Sequence, residues 1–241
     1  MKKHIIMVIV LISLLQSFTA CGKSKEVLAV ESAISEIGIV TLDSADSIKT
    51  AQEMFERLSV SERQSVSNYQ ELMNAIETLS QLEEAHYQEC YDLAVSKMLD
   101  NLVIAEELCN LTLDVWHNAI WQVDSNATNP YTKDENGVFF DDFNDALNSL
   151  CNSSEYQSKV KEIYSNDYEL KKLLDIIKLP PEKFKGNMQD AFVNYYAEYQ
   201  SFIELALYYN ESYNSFSEKF DQIDQASVAA YRKAAFYIST N

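Results

Sequence analysis

The chain is short of residues that break helices. Its 241 residues include four Gly and three Pro. These stand at Gly22, Gly38, Gly137, Gly186, Pro130, Pro180 and Pro181, each where the apolar periodicity already lapses. So few glycines exclude the usual glycine-rich phosphate loops, and no nucleophile motif or zinc-ligand spacing is present. Basic residues are also scarce, 19 Lys and Arg against 37 Asp and Glu, for a formal charge of −18. That balance repels nucleic acid and anionic lipid surfaces and argues against nucleic acid as a partner. Acidity of this kind mostly serves solubility, with attraction to cationic peptides or divalent ions as the sharper reading.

What is abundant points the other way. An apolar fraction of 47% is ample for a buried core. Enrichment in Leu, Ala, Glu and Tyr predicts an all-α protein. At the start, Lys2 and Lys3 precede an apolar run from Ile5 to Leu15, and Phe18-Thr19-Ala20-Cys21 follows. The run is too short for a membrane span and has the pattern of a secretory signal peptide. A cysteine directly after the small residues resembles the bacterial lipoprotein signal. That resemblance implies cleavage of residues 1–20, lipid attachment (palmitate among the acyl chains) at Cys21 and a linker over 21–25. The protein would then be held at the cell membrane, facing outside the cytoplasm, with the membrane as its partner through lipidated Cys21. Two or three acyl chains anchor firmly, where one alone does not. An ordinary signal peptide and a retained N-terminal helix are the alternatives.

Cys90, Cys109 and Cys151 remain. The first two are 19 positions apart on one predicted helix, ~28 Å, too far for a bond between them. Cys151 has either as a potential partner, although three small apolar core residues is the plainer reading.

Residues 26–82 predict a small three-helix module. Val27, Val30, Ala33, Ile34 and Ile37 keep helical spacing, and Gly38 supplies a left-handed stop. An extended link leads to Asp43-Ser44, either suited to cap a second helix carrying Ile48, Ala51, Met54, Phe55 and Leu58. Ser59 with Glu62 and Asn68 with Glu71 read as capping boxes before a third stripe, Leu72, Ala75, Ile76 and Leu79. The run Ile37-Gly38-x-Val40-Thr41-Leu42-Asp43-Ser44, with Ile48, Ala51, Phe55, Leu58 and Val66-x-Asn68-Tyr69-x-x-Leu72, resembles a small helical repeat of Firmicutes surface and secreted proteins. The resemblance implies a spacer or interaction module without catalytic residues.

Residues 83–241 predict an elongated antiparallel helical bundle with one very long helix. Asn68 to Gln122 contains no Gly or Pro. Tyr87, Tyr91, Ala94, Met98, Leu102, Ala105, Cys109, Leu113, Trp116 and Ile120 recur there every three or four positions. Their step suits a straight helix or a slight right-handed supercoil, and helices of this length belong to coiled coils or helical arrays. After a polar connector from Asp124 to Phe139, helices are predicted near 140–151, 154–165, 167–178 and 188–213, with a last one from Ser215 towards Ile238. Val115-Trp116-x-Asn118-Ala119-Ile120, the Tyr131-Thr132-Lys133 loop, Asp142-Phe143-Asn144-x-Ala146-Leu147 and Leu179-Pro180-Pro181 are similar to uncharacterised Firmicutes lipoproteins. This likeness implies a shared helical fold and no function.

Four constellations bear on chemistry. Glu83-x-x-His86 has the spacing used in di-iron bundles, but Asp114-x-x-His117, the only similar pair, lies ~46 Å along the same helix, so the two cannot share a metal. The loop Asp134-Glu135-Asn136-Gly137 with Asp141 and Asp142 is oxygen-rich but fails the EF-hand register, and a plain Asx turn fits it better. Lys159 to Lys185 is the one basic stretch, either a face for anionic envelope polymers or an ion-paired helix surface. Finally, Phe192 to Tyr213 is unusually aromatic. Phe192, Tyr196, Tyr199 and Ile203 are assigned to the core, while Tyr195, Phe202 and Tyr209 share a neighbouring face and are the candidate binding surface.

No cofactor, metal or catalytic residue is expected. The expected function is a lipid-anchored, non-catalytic binding or spacer module with an envelope protein or glycan as partner. An accessory or immunity lipoprotein for a secreted effector, and an envelope enzyme, are the alternatives.

Overall fold

A computed structural model describes residues 22–209 and 211–238; the signal segment and the lipidation site expected at Cys21 lie outside them. The described residues are helical almost throughout, and their only extended pairing is an isolated bridge between Lys133 and Phe139. The helices are α1 (Lys25–Glu36), α2 (Ala45–Arg57), α3 (Val60–Arg63), α4 (Tyr69–Trp121), α5 (Asn129–Thr132), α6 (Phe143–Cys151), α7 (Ser154–Ile177), α8 (Asn187–Leu207) and α9 (Tyr213–Ala235). The fold is an all-α helical bundle. The chain divides into two compact units between Glu83 and Glu84, and α4, unbroken over 53 residues, contributes to each.

In the first unit α1, α2 and the start of α4 enclose Val27, Val30, Ile34, Ile48, Ala51, Leu72 and Ala75. Ser24 caps α1 by accepting from the Val27 N–H at 3.2 Å, and Gly38 leaves the helix at φ +62, a conformation that favours glycine. Ser59 and Glu62 form their capping box around α3. The other two expected caps differ. The Ser44 hydroxyl accepts from the Thr41 N–H at 3.0 Å within a short 3₁₀ turn, Leu42–Ser44, rather than capping α2. The Asn68 amide donates to the Glu31 carbonyl at 3.0 Å and to Ser35 Oγ at 3.2 Å, so it ties α1 to the head of α4 and closes no box with Glu71. Glu31 completes that joint: its carboxylate accepts from the Ser67 N–H and hydroxyl, each at 2.6 Å, and pairs with Lys23.

In the second unit the sense of each helix follows from its contacts. Lys97 pairs with Glu169 and Lys159 with Glu107, so α7 runs antiparallel to α4. The Tyr156 hydroxyl donates to the Ala206 carbonyl at 3.1 Å, and the Tyr199 hydroxyl donates to the Asp167 carboxylate, so α8 turns back along α7. Phe202 packs on Phe220 and Tyr195 on Tyr231, reversing the chain again into α9. The Tyr91 hydroxyl reaches the Ala234 carbonyl at 2.9 Å, which closes the ring against α4. Tyr91–Phe192 and Trp116–Tyr209 contacts give α4 and α8 the same direction. This is an up-down-up-down four-helix bundle. Around Trp116, the rings of Phe143, Tyr209, Tyr213 and Phe216 cap one end.

The buried residues obey a seven-residue repeat. In the second unit's part of α4 they include Tyr87, Ala94, Asn101, Leu108 and Val115, interleaved with Tyr91, Met98, Ala105, Thr112 and Ala119, and a flanking row of Val95, Leu102, Cys109 and Trp116 keeps the same interval. Met188, Tyr195 and Phe202 with Phe192, Tyr199 and Ala206 do the same on α8, and Tyr156, Ile163, Leu170 and Ile177 on α7. The seam therefore has the 3.5-residue period of bundles that pack knobs into holes, not the longer step expected from the sequence. Leu113 and Ile120, assigned to the stripe, drift off it, and Ile120 is exposed. Two expected helices, 154–165 and 167–178, are one, because Asn166 uses its side chain across the core instead of capping a new start. The expected helix 188–213 ends at Leu207, and Ser212 caps α9 by accepting from the Ser215 N–H at 3.3 Å.

Two outcomes follow from this packing. Truncating Met98, fully buried on the seam, to Ala lowers unfolding stability by ~2–5 kcal/mol in urea denaturation. Thr112→Val acts oppositely: the Thr112 hydroxyl is buried without a protein partner, and its removal stabilises by ~1 kcal/mol. In the first unit, hydrogen bonds from Lys23 and Ser67 hold the Glu31 carboxyl down to about 2, from an ordinary 4.5. A depressed acid contributes stability above its unfolded value, and that contribution is lost as pH falls from about 4.5 towards 2. Amide protection factors in α1, corrected for the intrinsic exchange rate at each pH, should therefore fall over that window, and Glu31→Gln should remove this part of the pH dependence.

Candidate functional site

The aromatic surface expected at Tyr195, Phe202 and Tyr209 is not a surface. Tyr195 and Phe202 are almost wholly buried, and Tyr209 is half-buried against Trp116 and Phe216. The spacing of seven that groups these three residues is the spacing of the bundle seam, so the face they share is the one turned towards α9 and the core. Phe192, Tyr199 and Ile203 are buried too, as assigned, because α8 packs on more than one neighbour.

The accessible aromatics lie one strip further round, where α8 faces α7. Tyr164 and Tyr168 on α7 are 50% and 65% exposed, and Tyr208, just past the end of α8, is 68% exposed. Tyr164, Tyr196 and Tyr208 line a groove of about 310 Å³, with Asp167, Lys171, Gln200 and Glu204 among its polar groups and Ile203 and Leu207 among its apolar residues. The Tyr164 and Tyr208 hydroxyls meet at 3.0 Å, and Gln200 donates to the Tyr196 hydroxyl at 3.3 Å.

Beneath the groove lies a buried polar chain. The Asn101 amide, on the core seam of α4, donates to the Tyr199 hydroxyl at 2.7 Å and to the Ile163 carbonyl at 3.2 Å. Its oxygen accepts from the Asn166 amide at 2.8 Å. The Tyr199 hydroxyl in turn donates to the Asp167 carboxylate. Three helices are thus joined through one side chain.

These surroundings favour the neutral form of three of the phenols, Tyr164, Tyr196 and Tyr199. The hydrogen bond with Tyr208, then burial, raises the Tyr164 hydroxyl. Burial, then the Asp167 charge, raises Tyr196; burial, then the hydrogen bond to Asp167, raises Tyr199 far above the ordinary tyrosine range. The groove therefore offers neutral hydroxyl donors and aromatic rings beside two carboxylates, a composition suited to holding a ligand.

Other sequence candidates fall elsewhere. His86 is half-buried, with its ring 3.8 Å from Cys90 Sγ, and His117 stacks on Trp121 at 4.5 Å. Among the described residues no group of three His, Cys, Asp or Glu is placed to hold a metal. Asp134 forms an Asx turn, its carboxylate accepting from the Asn136 and Val138 N–H groups, both at 2.9 Å. The basic stretch is an ion-paired surface, with Lys159, Lys178, Lys183 and Lys185 each bound to an acid. Cys90, Cys109 and Cys151 are unbonded thiols. Burial, then Glu106, pushes Cys109 up to about 12, and Cys151 lies 2.7 Å from the Tyr209 hydroxyl. A larger cleft, about 610 Å³ between the start of α8 and the end of α9, is lined by Asp190, Arg232 and Lys233 beside an exposed Phe236. It lacks the groove's converging hydroxyls and hydrogen-bonded base. No described helix is long and apolar enough to cross a membrane.

The chain matches no protein-family model, and no curated protein or solved structure matches it.

Tyr164, Asp167 and Glu204 are not among the residues singled out from the sequence, and Tyr208 falls in the aromatic run without being assigned to its binding face. One signal was present: on α7, Val160, Asp167 and Leu174 continue the seven-residue register of Tyr156, Ile163, Leu170 and Ile177, so a carboxylate occupies a seam position. A charge there needs a partner, and Tyr199 is that partner.

The polar chain generates its own test. Asn101→Ala leaves the Tyr199 hydroxyl and the Asn166 amide without their partner and lowers stability by ~1–3 kcal/mol. In a double-mutant cycle with Tyr199→Phe, checked by urea denaturation, the two losses should be non-additive.

Proposed function

We propose that this protein is a lipid-anchored, non-catalytic binding and spacer module, held outside the cytoplasmic membrane through Cys21 and using the α7–α8 groove to take an envelope ligand. The observation that carries the binding half is the groove itself: exposed tyrosines, protonated hydroxyls and two carboxylates, supported from below by the Asn101 hydrogen bonds. Exposed tyrosine contributes large contact area with little conformational entropy to lose, which is why it is enriched at recognition surfaces. The anchoring half is supported by the basic start, the apolar run and the small residues leading into Cys21. The net charge of −18 leaves the attachment to the acyl chains, since an acidic body gains nothing from anionic lipid.

Two measurements test the halves separately. Cys21→Ser should abolish incorporation of labelled palmitate and shift the protein out of the membrane fraction; retention in that fraction without label would refute the anchor. For the groove, the purified mature protein should retain a component of envelope extracts, and Tyr208→Ala should reduce that retention by ~10-fold without altering the helical circular dichroism. Equal retention by the variant would remove the groove from the function.

A further inference from the structure

The groove also constrains what kind of ligand it takes, an inference that rests on the binding role given above. Its wall is aromatic and its charge is negative: Asp167 and Glu204 are opposed by one cation, Lys171, on a chain whose formal charge is −18. The Glu204 carboxylate is exposed and has no ion-pair partner among the described residues, and Lys171 has none either. Tyrosine faces attract cations through the ring quadrupole. The same surface already contains such a pair, because Lys172 Nζ lies 4.4 Å from the centroid of the Tyr168 ring, one turn along α7 from Tyr164. A neutral glycan would use the hydroxyls and rings but would draw nothing from the two carboxylates.

Size and exposure decide between a small free cation and a side chain delivered by a larger partner. Sites for free small molecules enclose most of the ligand surface. Here Tyr164 and Tyr208 remain half or more exposed, and the groove is shallow at about 310 Å³. Such a groove would leave a free amine largely in water, whereas it accepts a side chain whose backbone stays outside. Between the two basic side chains, the planar guanidinium is the better fit. It stacks on an aromatic ring while its N–H edge engages a carboxylate in two parallel hydrogen bonds, and it is more weakly hydrated than an ammonium.

We propose that the α7–α8 groove recognises an arginine side chain on a net-positive segment of a partner protein, with Tyr164 and Tyr208 as the stacking wall and Glu204 as the carboxylate that fixes the guanidinium.

The test uses the mature chain and a fluorescently labelled dodecapeptide bearing one central arginine among small neutral residues and a lysine. Fluorescence anisotropy should show saturable binding. Replacing that arginine by citrulline, which keeps the shape and removes the charge, should weaken binding by ~10-fold or more. Tyr208→Ala and Glu204→Gln, both at exposed positions, should each weaken it comparably, with unchanged circular dichroism. Glu26→Gln removes an exposed charge from the first unit and should have no effect. If the peptide binds but the groove variants and Glu26→Gln weaken it equally, the attraction is diffuse and the inference fails. If a neutral chitooligosaccharide displays saturable, Tyr208-dependent binding and the peptide does not, the inference fails while the binding role of the groove stands. If neither binds and envelope extracts yield nothing either, both fall.

Discussion

The hydrogen bonds of Asn101 are the constraint on which the second unit's geometry depends. An amide at a seam position of a four-helix bundle has no water to turn to, so every donor and acceptor must be met by the protein. Asn101 meets them on two other helices at once, through the Ile163 carbonyl and Asn166 on α7 and the Tyr199 hydroxyl on α8. Sliding α7 or α8 by one heptad would bring apolar residues to the same seam with little loss of packing, but it would orphan these groups. A single polar residue at such a position is a known way to specify register, and here it specifies the register of three helices together.

The groove is a consequence of that register. Asp167 belongs to the seam by its spacing, and Tyr199 belongs to the seam of α8; their hydrogen bond exists because Asn101 has aligned the two helices. Tyr164, one turn before Asp167, is then set opposite Tyr208, and Glu204 lines the same groove. The exposed residues are thus placed by buried ones. The packing that surrounds the alignment is ordinary bundle packing: Met98, Ala105, Leu108 and Phe202 supply burial, and the capped starts of α6, α7 and α9 supply the ends.

Much of this architecture could be read from the chain because helices announce themselves locally. The absence of breakers from 68 to 122 and the stop at Gly38 depend on backbone preferences that act within a few residues, and the structure keeps both. What could not be read locally was which of two adjacent stripes faces inward. On α4 the chosen stripe is buried at eight of its ten positions and leaves the core at Leu113 and Ile120, while the seam with a strict period of seven also runs through Asn101 and Thr112. The polar residues at those two positions disguised the seam. On α8 the same ambiguity placed Tyr195 and Phe202 on a surface, when aromatic residues at intervals of seven are the natural lining of a bundle core. Asn68 and Asn166 show a related limit: each stands where a cap is plausible, and each is drawn instead to a partner distant in sequence.

The polar chain does not need to be stabilising to matter. Replacing Asn101, Asn166, Tyr199 and Asp167 together with well-packed apolar residues would leave stability about level, since a satisfied buried network and a good hydrophobic seam are close in free energy. Removing one member alone is costly because the others remain buried and unpaired. The network is therefore best understood through its geometry. It determines how α7 meets α8, and that meeting line is where Tyr164, Asp167, Glu204 and Tyr208 come together. A bundle packed by apolar residues alone would be free to present a different line of side chains there, with its core equally well buried.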